Sequence, residues 1–325
     1  MTADPNRSFD MMPAGPTPAW IAADWGTSQL RLWVMDNSNQ VLDRISSDRG
    51  MSRLGPQDYE PTLLGLLGDR LAPGSNSDVR AVPVICCGMA GSRQGWAEAP
   101  YATAPCPPPG IAEATRPLIQ DKRLTVYLLP GIKTTDPADV MRGEETQIAG
   151  YLAQDSNQTG PQVICLPGTH SKWVKLDRGQ VTSFSTFMTG EMFALLQGQS
   201  VLRHCVSEDG WDEKAFKQAV AKALSSPAAI SAQLFRIRAD ALLSGQNAET
   251  GRARLSGLLI GAELAATRGY WSHQSVTILG TDALARCYET ALSALGRKPR
   301  RVDAESLTLA GLCAAYDQLQ KGQTQ

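Results

Sequence analysis

Two short turns in this chain combine glycine with hydroxyl-bearing side chains directly after an apolar run. The first turn contains Gly26, Thr27 and Ser28, and the second contains Gly168 and Thr169. A tight glycine turn lets backbone N–H groups approach phosphate oxygens because no Cβ intervenes, and hydroxyl groups add further donors. We therefore expect the two turns to bind the phosphate groups of a single nucleotide.

Charged side chains accompany both turns. Asp24 ends the apolar run before the first turn, where its carboxylate could hold Mg²⁺ through water. His170 and Lys172 would add donors in the second turn, although a histidine in a loop is more often structural. Phosphoryl transfer depends mainly on positioning and charge neutralisation, which these residues would supply. The predicted chemistry is therefore that of an ATP- and Mg²⁺-dependent kinase.

The segments around the turns repeat one pattern about 140 residues apart. Trp20–Asp24 and Val163–Leu166 are short apolar runs, and each is followed by a turn, an alternating strand and a returning strand. Chance is the alternative, since Gly-Thr between strands is common, but matching flanks on both copies favour duplication. We expect two related α/β lobes, with one turn from each lobe contacting the same triphosphate.

The rest of the chain alternates strands and helices, as an α/β protein should. Strands are predicted at 82–87, 124–129 and 276–280, and helices at 61–71, 142–153, 255–267 and 282–295, with a break at 72–75. Gly257 and Gly261 are predicted to let a helix or ligand pack closely. Gly280, at a strand-to-helix turn, is a candidate contact for the adenine ring.

Composition limits the class of protein. The 325 residues carry 31 basic and 32 acidic side chains, so no basic excess indicates a nucleic-acid or membrane partner. The seven cysteines lack metal-ligand spacing, which favours a reduced, cytoplasmic protein. We expect a tail at 1–18, an N-terminal lobe at 19–158 and a C-terminal lobe at 159–325, with the polar segment 155–161 at the boundary. The oligomeric state stays open, a homodimer included.

Several longer segments resemble the 2-dehydro-3-deoxygalactonokinases, a family of the sugar kinase/Hsp70/actin superfamily. The segments are Asp24–Ser28 with Arg31, Gly88–Ser92, Gly95-Trp96 with Ala99–Tyr101, Val140–Gln147, Leu166–Trp173, Met188–Glu191 and Ser256–Glu263. The resemblance implies a two-lobed actin/hexokinase-like (duplicated ribonuclease H-like) fold with an interlobe cleft. It also implies phosphorylation of the 6-hydroxyl of 2-dehydro-3-deoxy-D-galactonate by ATP. One departure is Thr281, which stands where the family often has a second glycine.

The resemblance also suggests residues for the acceptor side. It points to a general base at the start of the predicted 142–153 helix, and we favour Glu144 over Glu145 because Glu144 lies nearer the helix start. The sugar-acid contacts are predicted to be Gly88, Ser92, Trp96, Tyr101, Arg142, Thr189 and Glu191. For Trp96, a plain core role is nearly as well supported.

Two other classes of function remain open. The first is a different enzyme on this fold, either a kinase for another sugar acid or ketose, or a phosphohydrolase. The second is an ATP-binding sensor that lacks catalysis, although Asp24 and both glycine turns are intact and the N-terminal tail is too short for a helix-turn-helix module. The intact acidic and phosphate positions favour the kinase.

Overall fold

The computed structural model describes residues 18–71, 81–154, 160–280 and 282–323. Its strands are β1 (Trp20–Trp25), β2 (Leu30–Met35), β3 (Val41–Ser47), β4 (Val82–Gly88), β5 (Tyr101–Thr103), β6 (Leu124–Leu128), β7 (Gly131–Thr135), β8 (Ala138–Met141), β9 (Gln162–Leu166), β10 (Ser171–Asp177), β11 (Gln180–Phe187), β12 (Val276–Gly280) and β13 (Arg300–Asp303). Its α-helices are α1 (Tyr59–Leu67), α2 (Glu144–Gln154), α3 (Thr189–Gln199), α4 (Glu213–Ser225), α5 (Ile230–Leu243), α6 (Ala248–Ala266), α7 (Arg268–Trp271), α8 (Asp282–Ala294) and α9 (Ala304–Gln323).

The chain divides into two compact units. The first comprises the residues up to Tyr101, Pro109–Gly131 and the residues from Leu312 onward, and the second comprises Ala102–Pro108 and Ile132–Gly311. The boundary predicted between 158 and 159 falls on residues outside the described ranges. So do the break at 72–75, Thr281 and nearly all of the tail predicted at 1–18.

The first unit is built on a five-stranded sheet of order β3-β2-β1-β4-β6. The first three strands pair antiparallel, and β4 and β6 continue the sheet in parallel. Alternating apolar residues of β1 and β2 are buried together with α1, and Trp25 contacts the ring of Tyr59 with a centroid separation of 4.7 Å. This packing fixes β1, so Asp24 is held at the end of a rigid strand.

The second unit repeats that topology with the order β11-β10-β9-β12-β13. Here too three consecutive strands form an antiparallel series, in which β9 pairs with β10 and β10 pairs with β11, and the later strands β12 and β13 add in parallel. The internal duplication predicted from the sequence is therefore confirmed. Two α/β units with this strand order constitute the duplicated ribonuclease H-like arrangement of an actin/hexokinase-like fold.

Helix boundaries differ from the predictions where glycine intervenes. Helix α2 begins at Glu144 rather than at 142, because Gly143 has a φ of +106° that a helix cannot contain. Helix α1 spans Tyr59–Leu67 rather than 61–71, and Gly68, with a φ of +51°, ends it. Helix α6 begins at Ala248, seven residues before the predicted start, because the Asn247 side chain accepts a hydrogen bond from the Thr250 N–H at 2.8 Å.

The prediction for Gly257 and Gly261 is confirmed. A Cβ at Gly257 would lie 2.5 Å from the carbonyl oxygen of Phe216, and one at Gly261 would lie 2.6 Å from that of Val220. Both contacts are with α4, so the two glycines let α4 and α6 pack at backbone distance. The two helices form one wall of the cavity described below.

Candidate active site

The first glycine turn is held by its carbonyl groups. The Met51 N–H donates to the Gly26 carbonyl at 3.0 Å, and the Ser52 N–H donates to the Thr27 carbonyl at 2.9 Å. A trans peptide directs its C=O and N–H to opposite sides, so the N–H groups of Thr27 and Ser28 point away from the Met51–Ser52 segment. Both residues are exposed. The turn therefore presents two backbone donors and two hydroxyl groups to solvent.

Asp24 lies at the base of this turn. Its side chain is 13% exposed and forms an ion pair with Arg31, the residue opposite it in the β1–β2 register. The Cys87 thiol lies 3.8 Å from Asp24 Oδ1, and Gly88 follows with a φ of +86°. A Cβ at Gly88 would lie 2.7 Å from the Trp25 carbonyl oxygen. Only glycine fits beside Asp24 at this point of the sheet.

The second turn is likewise held through hydrogen bonds to its carbonyl groups. The Glu191 N–H donates to the Thr169 carbonyl at 2.9 Å, so the His170 N–H is directed to the opposite side. Lys172 Nζ donates to the His170 carbonyl at 2.9 Å. His170 Nε2 lies 2.5 Å from Glu191 Oε2. The structure thus places Glu191, predicted as a sugar-acid contact, against the turn that contains Thr169, His170 and Lys172.

The start of α2 joins this second turn through an ion pair. Lys172 Nζ lies 2.8 Å from Glu144 Oε1, and only 5% of the lysine side chain is exposed. Glu144 Oε2 accepts a hydrogen bond from the Arg142 N–H at 3.0 Å. One buried lysine therefore connects the predicted base to the predicted phosphate-binding turn.

Glu145 has a different environment from its neighbour. It is 1% exposed, and both of its carboxylate oxygens accept from the Gly143 N–H, at 2.9 and 2.8 Å. Burial, together with the adjacent Glu144 charge, raises the pKa of Glu145 to about 8, against the lowering effect of the Gly143 N–H. Glu145 therefore fixes the turn that precedes the helix, while Glu144 remains partly accessible, with 23% of its side chain exposed.

A cavity of about 790 Å³ opens beside the second turn, entirely within the second unit. Its walls come from the Gly168-Thr169 turn, the start of α3, the segment 208–213, one stripe of α6 and the first turns of α8. The volume lies in the range of roughly 300–1,000 Å³ that small-molecule sites occupy. Its apolar end includes Phe193, Leu259 and Leu284, and Arg252 lies 5.3 Å above the Phe193 ring.

A buried carboxylate ties one wall of this cavity together. Glu263, 3% exposed, accepts hydrogen bonds from Trp173 Nε1 at 2.7 Å, from the Tyr288 hydroxyl at 2.8 Å and from the Thr189 hydroxyl. Ser171 in turn lies 2.8 Å from the Tyr288 hydroxyl. Burial raises the pKa of Glu263, and its hydrogen bonds act in the opposite direction. The orientation of Thr189 and Tyr288, which both line the cavity, thus depends on this one side chain.

The remaining predicted residues lie in several environments. Ser92 is buried, and its hydroxyl lies 3.3 Å from the sulfur of Met51, the residue that binds the first turn. Trp96 belongs to the aromatic cluster of the core, where its ring stacks on that of Tyr59 at 5.7 Å. Tyr101 begins β5 and is half-buried, and Arg142 is buried just before α2.

Two residues that were predicted as ligand contacts, Thr189 and Gly280, lie close to this cavity. Thr189, predicted as a sugar-acid contact, lines the same cavity as Gly168 and Thr169. Gly280, predicted as an adenine contact, is buried, and a Cβ there would lie 3.3 Å from Pro167 Cδ. The cavity wall beyond it is formed by Ala283 and Leu284.

Several cavity residues were not predicted from the sequence. They are Phe193, Trp211, Arg252, Ser256, Arg286 and Tyr288. One usable signal was the segment Asp209-Gly210-Trp211, which places a tryptophan directly after a polar glycine turn, and Trp211 is 41% exposed. The others lie on helices whose cavity-facing positions only the fold reveals.

Comparison with known proteins decides the family. The model of the 2-keto-3-deoxy-galactonokinase family matches residues 24–315. The chain belongs to this family of sugar-acid kinases. The membership predicted from the sequence segments is thereby confirmed, and the protein is an enzyme of the phosphotransferase class.

Individual relatives of this kinase family match over nearly the whole chain. A Rhizobium meliloti protein named "Probable 2-dehydro-3-deoxygalactonokinase DgoK1" is 41% identical over 303 residues, which cover 91% of this chain and 96% of that protein. The 2-dehydro-3-deoxygalactonokinase of Escherichia coli is 32% identical over 299 residues, which cover 91% of this chain and 97% of that protein. The crystal structure of a Sinorhizobium meliloti protein named "putative 2-dehydro-3-deoxygalactonokinase protein" superposes with a TM-score of 0.83 at 39% identity, covering 92% of this chain and 99% of that one.

Proposed function

We propose that this kinase transfers the γ-phosphoryl group of ATP to the 6-hydroxyl of 2-dehydro-3-deoxy-D-galactonate. The observation that carries the proposal is the Glu144–Lys172 ion pair of 2.8 Å, which places a carboxylate one side chain away from the Gly168–His170 turn. A phosphate-binding turn and an accessible base are the two parts that transfer to a hydroxyl requires. The relatives reported above are named as 2-dehydro-3-deoxygalactonokinases, which supports the proposed acceptor.

The nucleotide is proposed to occupy the cavity of the second unit. Its phosphate groups would accept hydrogen bonds from the backbone of Gly168, Thr169 and His170, and the ring system would lie toward Phe193 and Leu284. A volume of about 790 Å³ accommodates a ligand of this size. Gly26, Thr27 and Ser28 are proposed as phosphate contacts of the first unit, and Gly280 is proposed to support the wall near the adenine.

Magnesium is proposed to be held by Asp24. Among the described residues no cluster of three or more metal-ligating side chains occurs, so an all-protein cage is not available in that part of the chain. Mg²⁺ usually keeps several waters and takes only one or two carboxylates together with substrate phosphates, which a single Asp24 fits. When bound, the ion would neutralise charge on the phosphate oxygens.

Glu144 is proposed as the general base. Its carboxylate is partly exposed, and its ion pair with Lys172 and the hydrogen bond from the Arg142 N–H fix its position at the start of α2. The proton of the 6-hydroxyl would pass to Glu144 as the O6–P bond forms. The bond between the γ-phosphorus and the bridging oxygen would break, and ADP would leave with that electron pair.

The proposed contacts of the sugar acid are the residues predicted from the sequence, namely Gly88, Ser92, Trp96, Tyr101, Arg142, Thr189 and Glu191. Arg142 would bind the carboxylate of the sugar acid, because a guanidinium forms charge-assisted hydrogen bonds with that group. Among the described residues no helix is long and apolar enough to cross a bilayer. A cytoplasmic site of action is proposed because none of the seven cysteines forms a disulfide bond, as is usual in a reducing compartment.

The test is an ADP-release assay over a panel of 2-keto-3-deoxy sugar acids, with aldoses and ketoses as controls. We expect Mg·ATP turnover with 2-dehydro-3-deoxy-D-galactonate, and loss of that turnover in Asp24→Asn with little change in melting temperature. Efficient turnover of an unrelated sugar without turnover of this acid would refute the substrate. ADP release without any acceptor would indicate a phosphohydrolase instead.

A further inference from the structure

The second sheet places Lys172 on the face that lies away from the proposed nucleotide cavity. Successive side chains of a strand point to opposite faces of its sheet. In β10, Trp173 packs with residues of α4, α6 and α8, the helices that contribute to the wall of that cavity. Val174 packs instead with Ile148 of α2 on the other face. Lys172 precedes Val174 by two residues and does not line the cavity, so its side chain shares the α2 face.

Among the described residues, two groups contact the Lys172 ammonium group, and they belong to different parts of the site. Lys172 Nζ donates to the His170 carbonyl at 2.9 Å and lies 2.8 Å from Glu144 Oε1. Only 5% of the lysine side chain is exposed. A buried charge is tolerated when it is paired and hydrogen-bonded, so both contacts are needed in the folded chain. One side chain therefore holds the Glu144 carboxylate at a fixed separation from the proposed phosphate-binding turn.

The Glu144 carboxylate is restrained at both of its oxygens. Lys172 contacts Oε1, and the Arg142 N–H donates to Oε2 at 3.0 Å, so the two contacts define the direction of the carboxylate. An ionised carboxylate has about four acceptor positions, of which these contacts occupy two. The side chain is 23% exposed. Glu144 is thus held in one orientation and still has positions at which it can accept a proton.

We infer that Lys172 is a positioning residue, which holds Glu144 against the turn formed by Gly168, Thr169 and His170 and does not itself bind phosphate. The inference rests on the proposed function, in which that turn binds phosphate groups and Glu144 takes the proton of the acceptor hydroxyl. A base has to lie within hydrogen-bond reach of that proton. Because the same ammonium group contacts the His170 carbonyl, the base and the turn keep their relative placement.

The test is a double-mutant cycle of Lys172→Met and Glu144→Gln. The acceptor is the sugar acid of the panel above that the unmodified protein phosphorylates fastest, so the test does not depend on which acid that is. Methionine keeps an unbranched side chain and removes the ammonium group. Lys175→Met is the matched control, because Lys175 is an exposed residue of the same strand whose ammonium group lies 4.8 Å above the Tyr270 ring. If Lys172→Met does not fold, Lys172→Gln takes its place in the cycle.

We expect Lys172→Met to lower kcat by roughly 10–10²-fold, since a misplacement of about 1 Å can cost that much, and to leave the KM for ATP nearly unchanged. In the Glu144→Gln background it should cause no further loss, because the base that it positions is already absent. Calorimetric titration with ADP should give the same Kd for Lys172→Met and the unmodified protein. Lys175→Met should have unmodified kinetics.

Three results would overturn the inference. A weaker ADP affinity and a higher KM for ATP in Lys172→Met, both persisting in the Glu144→Gln background, would make Lys172 a phosphate ligand. Losses of kcat that multiply in the double variant would show that Lys172 and Glu144 act independently, and the proposed base would stand. A normal kcat in Glu144→Gln would remove the proposed base, and the inference with it.

Discussion

The two glutamates at the start of α2 differ in what surrounds their carboxylates. Glu144 is accessible and paired with Lys172, whereas both oxygens of Glu145 are occupied by the Gly143 N–H. We expect Glu144→Gln to lower kcat by roughly 10²–10⁴-fold, the usual effect of losing a positioned base. Glu145→Gln should retain much more activity. A larger loss of kcat in Glu145→Gln would reverse the assignment, and near-normal kcat in both would remove α2 from the chemistry.

Glu145 should also make stability depend on pH. Its pKa rises from 4.5 in the unfolded chain to about 8 in the folded one, so the folded state binds the proton more tightly. The stability contributed by protonated Glu145 is complete below about pH 4.5 and is lost as the pH rises toward about 8. Glu145→Gln, which stays neutral, should therefore gain stability relative to the parent across this window. Denaturant unfolding at several pH values measures the difference, and a constant offset would contradict the assignment.

Glu263 orients two hydroxyl groups, those of Thr189 and Tyr288, that line the proposed nucleotide cavity. The Trp173 indole N–H can only donate, so in Glu263→Gln the new amide oxygen must face Trp173. The amide NH₂ group then faces Thr189 and Tyr288, whose hydroxyls have to accept instead of donate. We expect the KM for ATP to rise several-fold with little change in kcat, because only the cavity wall is altered. An unchanged KM for ATP in a folded Glu263→Gln variant would show that the network serves stability alone.

At the scale of elements, α3 holds the second turn by direct backbone contact. A Cβ at Gly190 would lie 2.3 Å from the Gly168 carbonyl oxygen, so Gly190→Ala must displace the turn. We expect a marked rise in the KM for ATP. Gly198→Ala in the same helix is the control, since a Cβ there meets nothing within 4 Å and alanine should add about 1 kcal/mol of helix stability. If Gly190→Ala and Gly198→Ala had the same KM for ATP, α3 would have no role in nucleotide binding.

The sequence predicted those elements whose pattern is local. The three-strand units were predictable because Leu30, Leu32 and Val34 alternate with Gln29, Arg31 and Trp33, and each copy has a Gly-Thr turn. Helix α4, which was not predicted, carries an equally local signal, with an Asp212 cap before buried Phe216 and Val220. The start of α2 was placed two residues early because nothing local reveals the positive φ of Gly143.

The candidate site was predictable only in part, for a physical reason. Glycine turns and paired glutamates lie within a few residues of each other and can be recognised as motifs. The ion pair of Glu144 with Lys172, and the cavity wall formed by Phe193 and Arg252, join residues far apart in the chain. Such contacts depend on how β10, α2, α3 and α6 pack, which periodicity does not specify.

At the scale of the whole molecule, we expect a kinase that modifies one oxygen of one sugar acid. The most direct measurement is a ³¹P–¹H correlation spectrum of the product formed from Mg·ATP and 2-dehydro-3-deoxy-D-galactonate. We predict that the new phosphorus signal couples to the two protons on C6. Coupling to a proton on any other carbon, or a signal of inorganic phosphate alone, would contradict the central claim.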